Sequence, residues 1–342
     1  MDTNEYLLNR LQTCSFYKLT IEDKDLLAKL CIEKKKKKKL TLGKFRKWSI
    51  DINSQERVKN AIKLNILRNQ PIQFAFPFGG YKLWRFPTSP EVDWAEFFTI
   101  AYYLNYVSPI PQVYKPGMIF YFSSDDIIIE RMDNVPTKDT DTYFASFNIL
   151  LSEFRKYFPP NLKMEIKRVA DFYPKEEFEN ELALLIEKIK QEQPSWEEKK
   201  KNSMLKTSEL NIKWDGVQDW TKLSEKVKQA KIEMGPTYHD AYCALSRRRA
   251  FVRGEDKIVV FTTPIPNAIA IGTSKTSVTK FWTGFGVLEK EKGQFFDRIL
   301  SFEQWKKVKD QPHEVMKTGL VPLKNFQEIW VYPQRFNFGN KI

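Results

Sequence analysis

The sequence predicts an α/β protein with a Rossmann-like, mostly parallel sheet, a helical insert and a β-rich C-terminal portion. Three observations carry this reading. Between residues 72 and 169 strand-like and helix-like segments alternate, which argues for parallel strands joined by crossover helices. From residue 175 the chain turns charge-rich and helical. From residue 257 it becomes short apolar runs separated by Gly and Pro turns. The expected division is an N-terminal helical segment (1–70), an α/β core (71–174), a charged helical insert (175–255) and C-terminal strands joining the same sheet (256–342).

Each element has a local reason. Residues 4–32 have the spacing of one or two amphipathic helices. A helix over 54–69 is expected from Ser54 as cap, Glu56 in the first turn, and apolar Val58, Ile62, Leu64 and Ile66. Residues 72–78 form an apolar, β-favouring run. Pro87, Ser89 and Pro90 then punctuate the approach to a helix over 93–107, which opens with acidic Asp93 and Glu96. A second strand is expected over 118–123. A helix over 137–157 lies between Pro136 and Pro159-Pro160, and a third strand follows over 162–169. The insert is broken at Pro194 and Asp215-Gly216, with Trp196, Trp214 and Trp220 as anchors. A helix over 238–251 ends in the triplet Arg247-Arg248-Arg249. Further strands are expected over 257–263, 268–272, 280–288, 295–300 and 328–332, with a short helix over 302–309.

Composition narrows the class. Residues are 42% hydrophobic and 14% aromatic, enough to build a core and exclude overall disorder. No apolar run is long enough to span a membrane, and the first residues lack a basic stretch followed by an apolar one. Cys14, Cys31 and Cys243 stand far apart with no CxxC spacing, which fits reduced thiols. A cytoplasmic protein is therefore expected, with no membrane partner; its oligomeric state is not legible. The net charge of +13 leaves nucleic acid open as a partner. Lysine outnumbers arginine, however, and the run Lys34 to Lys39 has no interleaved aromatic residues, so it reads as a solvated loop. A small anionic metabolite is the preferred partner, and a basic nucleic-acid-binding protein without enzymatic activity is the alternative.

In an open α/β sheet, ligands bind beyond the carboxyl ends of the strands. That puts Lys82, Arg85, Asp125 and Asp126 where chemistry would sit. Asp125-Asp126 could serve as metal ligands, as a base or as an amine site. Neighbouring residues on a strand point to opposite faces, so one of the pair at most faces a crevice. The competing reading is a turn or cap, with Ser124 or Asp125 starting a helix at Ile127. The loop FPFGGYK is neither a dinucleotide nor a P-loop signature, so no cofactor is expected. Its glycines permit close backbone approach, and Lys82 and Arg85 could flank an anion. His239 and His313 lie in no metal-spaced group, and no metal site is expected. His239, beside Asp240, fits a helix terminus better than a catalytic post, and His313 reads as a surface loop residue. The hydroxyl-rich, basic run over 271–282 suits either an anion loop or an ordinary hairpin.

The order of these motifs resembles the isocyanide (isonitrile) synthases of the pyoverdine-cluster and dityrosine-precursor type. The matching residues are FPFGGYK, Glu91-Val92-Asp93 with Ala95-Glu96, Tyr114-Lys115-Pro116-Gly117, Ser124-Asp125 and the Tyr143 helix. A looser match runs from Arg247 to Thr263, with Trp282 downstream. Where the family pattern carries C-terminal histidines, this chain has Thr262-Thr263-Pro264 and Phe281-Trp282-Thr283. The resemblance implies a carbon–nitrogen condensing enzyme that joins an amino acid to a sugar phosphate such as ribulose 5-phosphate. It further implies that Lys82 and Arg85 hold the phosphate, that Asp125 contacts or deprotonates the amine, and that Glu96 and His239 are further acid/base candidates. Ser124, Asp126 and Trp282 complete the substrate-binding set. Replacing Lys82 by Met or Asp125 by Asn is then expected to abolish turnover without lowering the melting temperature.

Overall fold

The computed structural model describes residues 1–25, 52–133, 135–168, 171, 175–202, 204–205, 222–248, 254–262, 268–273, 276–277 and 279–338. The Lys34 to Lys39 run, Trp214, Asp215, Gly216, Trp220, Arg249, Thr263 and Pro264 lie outside them, as do the side chains of His239, Arg247 and Arg248. The chain opens with α1 (Thr3–Leu11), α2 (Thr13–Phe16) and α3 (Ile52–Leu67). Ser54 falls inside α3 rather than at its cap. Then follow β1 (Ile72–Phe78), α4 (Trp94–Val107), α5 (Pro109–Val113), β2 (Met118–Ser124), α6 (Asp126–Asp133), α7 (Thr137–Arg155) and β3 (Leu162–Arg168). The insert contributes α8 (Lys175–Glu192) and α9 (Glu225–Arg248). The remainder is β4 (Lys257–Phe261), β5 (Ile269–Ala270), β6 (Gly284–Glu291), β7 (Gln294–Ser301), α10 (Phe302–Val308), β8 (Glu314–Lys317) and β9 (Glu328–Tyr332). No described helix is long and apolar enough to cross a membrane.

The expected α/β class holds. Among the described residues five parallel strands pair in the order β3-β2-β1-β4-β5, so the chain reverses its direction of travel across the sheet between β1 and β4. The paired registers differ in length there. β1 stays paired with β2 through Phe78 and Ser124, whereas its pairing with β4 ends at Ala75 and Val259. Pro77 stands just beyond that point, where a residue without an N–H breaks no β4 ladder. The sheet is covered on both faces. Phe74, Phe76, Phe78, Phe120 and Phe122 point to α4 and α7, with Phe122 and Phe147 rings 5.0 Å apart and Phe120 and Tyr103 rings 5.5 Å apart. Ala75 points the other way, into a cluster with Phe178, Leu182 and Leu185 of α8 and Ala241, Tyr242 and Leu245 of α9. The charged insert is thus one of the covering layers of the sheet. Its second helix starts at Glu225, well before residue 238, and runs through Pro236.

The expectation that all C-terminal strands join one sheet is corrected. β4 and β5 do so, but β6 to β9 form a second sheet, in the order β7-β6-β9-β8. Helix α4 lies between the two. Nearly every residue of it is buried, the pattern of a helix with no solvent face. A Cβ on Gly286 of β6 would stand 2.3 Å from the backbone nitrogen of Ala95, so helix and strand meet backbone to backbone. On its other side, Tyr103 stacks over the first sheet.

Candidate active site at the switch point of the parallel sheet

The break between β1 and β4 marks the topological switch point, where open α/β sheets bind ligands. The chain leaves β1 through Gly79 and Gly80. Gly80 has φ +68°, and a Cβ there would meet the Ser124 hydroxyl at 1.8 Å; at Gly79 it would meet the Trp282 indole nitrogen at 2.9 Å. The two glycines therefore let the loop lie flat against Ser124 and Trp282. Two further bonds fasten the loop to the 281–282 segment: Leu83 N–H donates to Trp282 O (3.2 Å) and Lys82 Nζ to Phe281 O (3.2 Å). Phe76 packs against Phe261, Phe281 and Trp282, so rings from both sides of the switch point gather there.

Lys82 turns inward. Its ammonium donates to Asp93 Oδ1 (2.9 Å) and to Glu96 Oε1 and Oε2 (3.0 and 2.9 Å), and none of the Lys82 or Glu96 side chain is exposed. The two carboxylates are held by the start of α4. Asp93 is the N-cap and accepts from Ala95 N–H (2.6 Å), while Asp93 N–H donates to Glu96 Oε2 (2.8 Å), a reciprocal capping box. Thr88 Oγ1 donates to Asp93 Oδ2 (3.0 Å) and Tyr143 Oη to Glu96 Oε1 (3.0 Å). Burial, with Asp93 adding to it against the pull of Lys82, pushes the Glu96 carboxyl up to about 8. Burial beside Glu96 holds the Tyr143 phenol well above its usual range.

This geometry separates the two cations expected to act together. Lys82 is neutralised inside the protein. Arg85 is only partly buried and lies over the rings of Trp84 (5.4 Å) and Phe302 (5.1 Å). The expected indifference of melting to Lys82→Met is also corrected, because that change would strand two buried carboxyl groups.

The Asp pair divides between directions, as strand alternation requires. Asp125 is half-buried. Its N–H donates to Phe78 O (2.7 Å), its carbonyl starts α6, and its Oδ1 accepts from Tyr242 Oη of α9 (2.5 Å). Asp125 thus stands just before α6, which begins one residue before Ile127. Asp126 is buried against Arg168 at the end of β3 (2.8 Å). Arg168 also reaches Asp141 of α7 (2.5 Å). Trp282 is buried, with the Lys280 ammonium 5.7 Å from its ring. His239 lies on α9 one turn before Tyr242. His313 stacks on Trp330 with ring centres 4.5 Å apart, in the second sheet and apart from this constellation. Among the described residues, no group of three or more His, Cys, Asp or Glu is arranged to hold a metal ion.

Sequence reasoning missed Tyr242 and Tyr143 as partners of the carboxylates. Tyr143 was marked only as part of a helix motif, and Tyr242 sits in an ordinary amphipathic stretch.

No protein-family model and no curated protein matches the sequence. Among solved structures, the chain is similar to the PvcA protein from Pseudomonas aeruginosa, with a TM-score of 0.62 and 16% identity over 90% of this chain and 100% of that one. The likeness is one of fold, and it extends over the whole of PvcA.

Proposed function

We propose that this protein is a small-molecule biosynthetic enzyme of the isocyanide-synthase type, joining the amine of an amino acid to the carbonyl of a sugar phosphate. One observation carries the reading. Of the motifs whose order resembles that family, the loop at Gly79 to Lys82, the start of α4, Ser124-Asp125 and Tyr143 lie at the carboxyl end of the parallel strands, and Tyr114 to Gly117 lies at their amino end. The PvcA-like fold is in keeping with it.

In this reading Asp125 receives the substrate amine. Glu96, raised towards neutrality and bonded to Tyr143, is the group able to give and take a proton near pH 7. Lys82 positions Glu96 and Asp93 rather than holding phosphate. The phosphate falls to Arg85 and to Lys280 beside Trp282. His239, one turn from Tyr242, is the remaining acid/base candidate, since the segments Thr262-Thr263-Pro264 and Phe281-Trp282-Thr283 stand where the family pattern has histidines.

The test is direct. Purified protein incubated with tyrosine or tryptophan and ribulose 5-phosphate should yield the isonitrile of the amino acid by mass spectrometry. In parallel, sugar phosphates and amino acids should raise the melting temperature, and oligonucleotides should not. A stabilisation seen only with oligonucleotides and lost with salt would instead favour the nucleic-acid alternative.

A further inference from the structure

The loop that leaves β1 carries hydrogen-bond donors that the fold does not use. Gly79 and Gly80 are buried, and among the described residues neither backbone N–H has an acceptor. Buried N–H groups are nearly always paired, so two in succession without a protein acceptor point to an acceptor from outside. With φ +68° at Gly80 the loop turns left-handed, as the backbone does in N–H concavities that bind anions. Two side chains add donors. Ser124 is 1% exposed, and its hydroxyl, which a Cβ on Gly80 would meet at 1.8 Å, makes no hydrogen bond among the described residues. The Trp282 indole nitrogen, which a Cβ on Gly79 would meet at 2.9 Å, makes none either. Four donors from three segments of the chain thus gather around two adjacent glycines.

Their charge selects the ligand. All four are neutral, and Lys82, the cation of this loop that turns inward, is spent on Asp93 and Glu96. A phosphate dianion is normally met by a cation in contact. A carboxylate carries one charge on two oxygens, and two or three backbone N–H bonds are enough to hold it ionised. Backbone concavities capture terminal carboxylates in this way. The roles proposed above place an amine and a phosphate and leave the carboxyl group of the amino acid unheld. We propose that the N–H groups of Gly79 and Gly80, the Ser124 hydroxyl and the Trp282 indole N–H form a cradle for the α-carboxylate of the amino-acid substrate. The proposal rests on the enzyme reading above and adds its specificity: an α-amino acid is chosen over the corresponding amine. It also accounts for glycine at both positions, since a side chain at either would collide with the donor beside it.

The Gly80 amide can be watched directly. Gly79-Gly80 is the only Gly-Gly pair among the 13 glycines of the sequence. Glycine isotopically labelled at both its carbonyl carbon and its nitrogen therefore gives one coupled peptide bond in an NMR spectrum, that of Gly80. Titrating acetate into the folded protein should move this amide downfield and saturably, and chloride at the same ionic strength should leave it in place. Inorganic phosphate should act only at higher concentration. Ser124→Ala and Trp282→Phe should each weaken acetate binding about tenfold, the scale of one hydrogen bond to a charged group. The wild-type titration involves no substitution, so a misfolded variant cannot imitate its result. A Gly80 amide unmoved by acetate, one moved by less phosphate than acetate, or an affinity unchanged in both variants would overturn the cradle. The cradle and the reaction fail separately. Acetate binding that depends on these residues, without isonitrile product, sinks the reaction and keeps the cradle. Isonitrile formed by Ser124→Ala and Trp282→Phe with unchanged KM for the amino acid sinks the cradle and keeps the reaction.

Discussion

Two polar clusters on opposite faces of the parallel sheet differ in how far they are satisfied. On the α4 face, Lys82, Asp93, Glu96 and Tyr143 are sealed from water and satisfy one another almost completely. On the α9 face, Asp125 is only half-buried, and Ser123 keeps an unsatisfied hydroxyl. A complete network rigidifies what it joins, and here it ties the 79–93 loop to the first turn of α4. The first cluster fixes the shape of the site and holds Glu96 within it; on the second face one buried hydroxyl, that of Ser123, has no partner.

Removing the charge at the centre of the sealed cluster should have the largest effect. Lys82→Met leaves Asp93 and Glu96 facing each other without a cation, and should cost roughly 3–5 kcal/mol of folding stability in denaturant titration. A loss below about 1 kcal/mol, the range of an exposed ion pair, would mean the cluster is open to water and the contrast between the faces is false.

The next effect depends on pH. Glu96 holds its proton more tightly in the folded protein, with a value of about 8 against an ordinary 4.5. A group raised in this way stabilises the fold fully below its unfolded value and ceases to do so as pH climbs through 8, because the folded state binds the extra proton. Wild-type stability should therefore decline between about pH 5 and 8 relative to Glu96→Gln, whose amide cannot titrate. Below about pH 4.5 the two should be close, and by pH 6 the wild type should already have lost roughly 2 kcal/mol of this stability relative to the variant. A large deficit of the variant at pH 6 would show Glu96 to be ionised as the counter-ion of Lys82.

The smallest expected change is Arg85→Ala. A partly exposed guanidinium over aromatic rings contributes about 0.5–1 kcal/mol, so melting should barely move. If Arg85 holds phosphate, the same variant should still lose affinity for a sugar phosphate, measured by calorimetry. Unchanged affinity would assign that role to Lys280 alone.

Much of this was legible in the residues, for identifiable reasons. The Asp93-to-Glu96 spacing announces a capping box, and the aromatic runs over 72–78 and 118–123 fit strands buried on both sides. The inward turn of Lys82 was not legible, because a lysine three residues past a strand looks the same whether it meets solvent or two carboxylates. The partnership of Tyr242 with Asp125 spans 117 positions, and no local pattern encodes it. The second sheet did leave a sign that was passed over. Lys292 and Gly293, both at positive φ (50° and 77°), make the two-residue turn that pairs β6 with β7 as a hairpin. β8 was missed because four residues, EVMK, carry too little pattern to register.

The enclosure of α4 also bears on how the chain is made. The Trp94 indole nitrogen donates to Glu328 O (2.8 Å), a partner 234 positions later in the chain, and its ring rests 4.8 Å from that of Phe326. At the pace of ribosomal synthesis, about 5–20 residues per second, that partner emerges on the order of ten to fifty seconds after Trp94 does. Until then the Trp94 indole lacks that acceptor and the Phe326 ring, the last cover of this side of the central helix. A fragment ending before β6 should therefore expose the apolar face of this helix and aggregate rather than fold, as light scattering of the purified fragment would show.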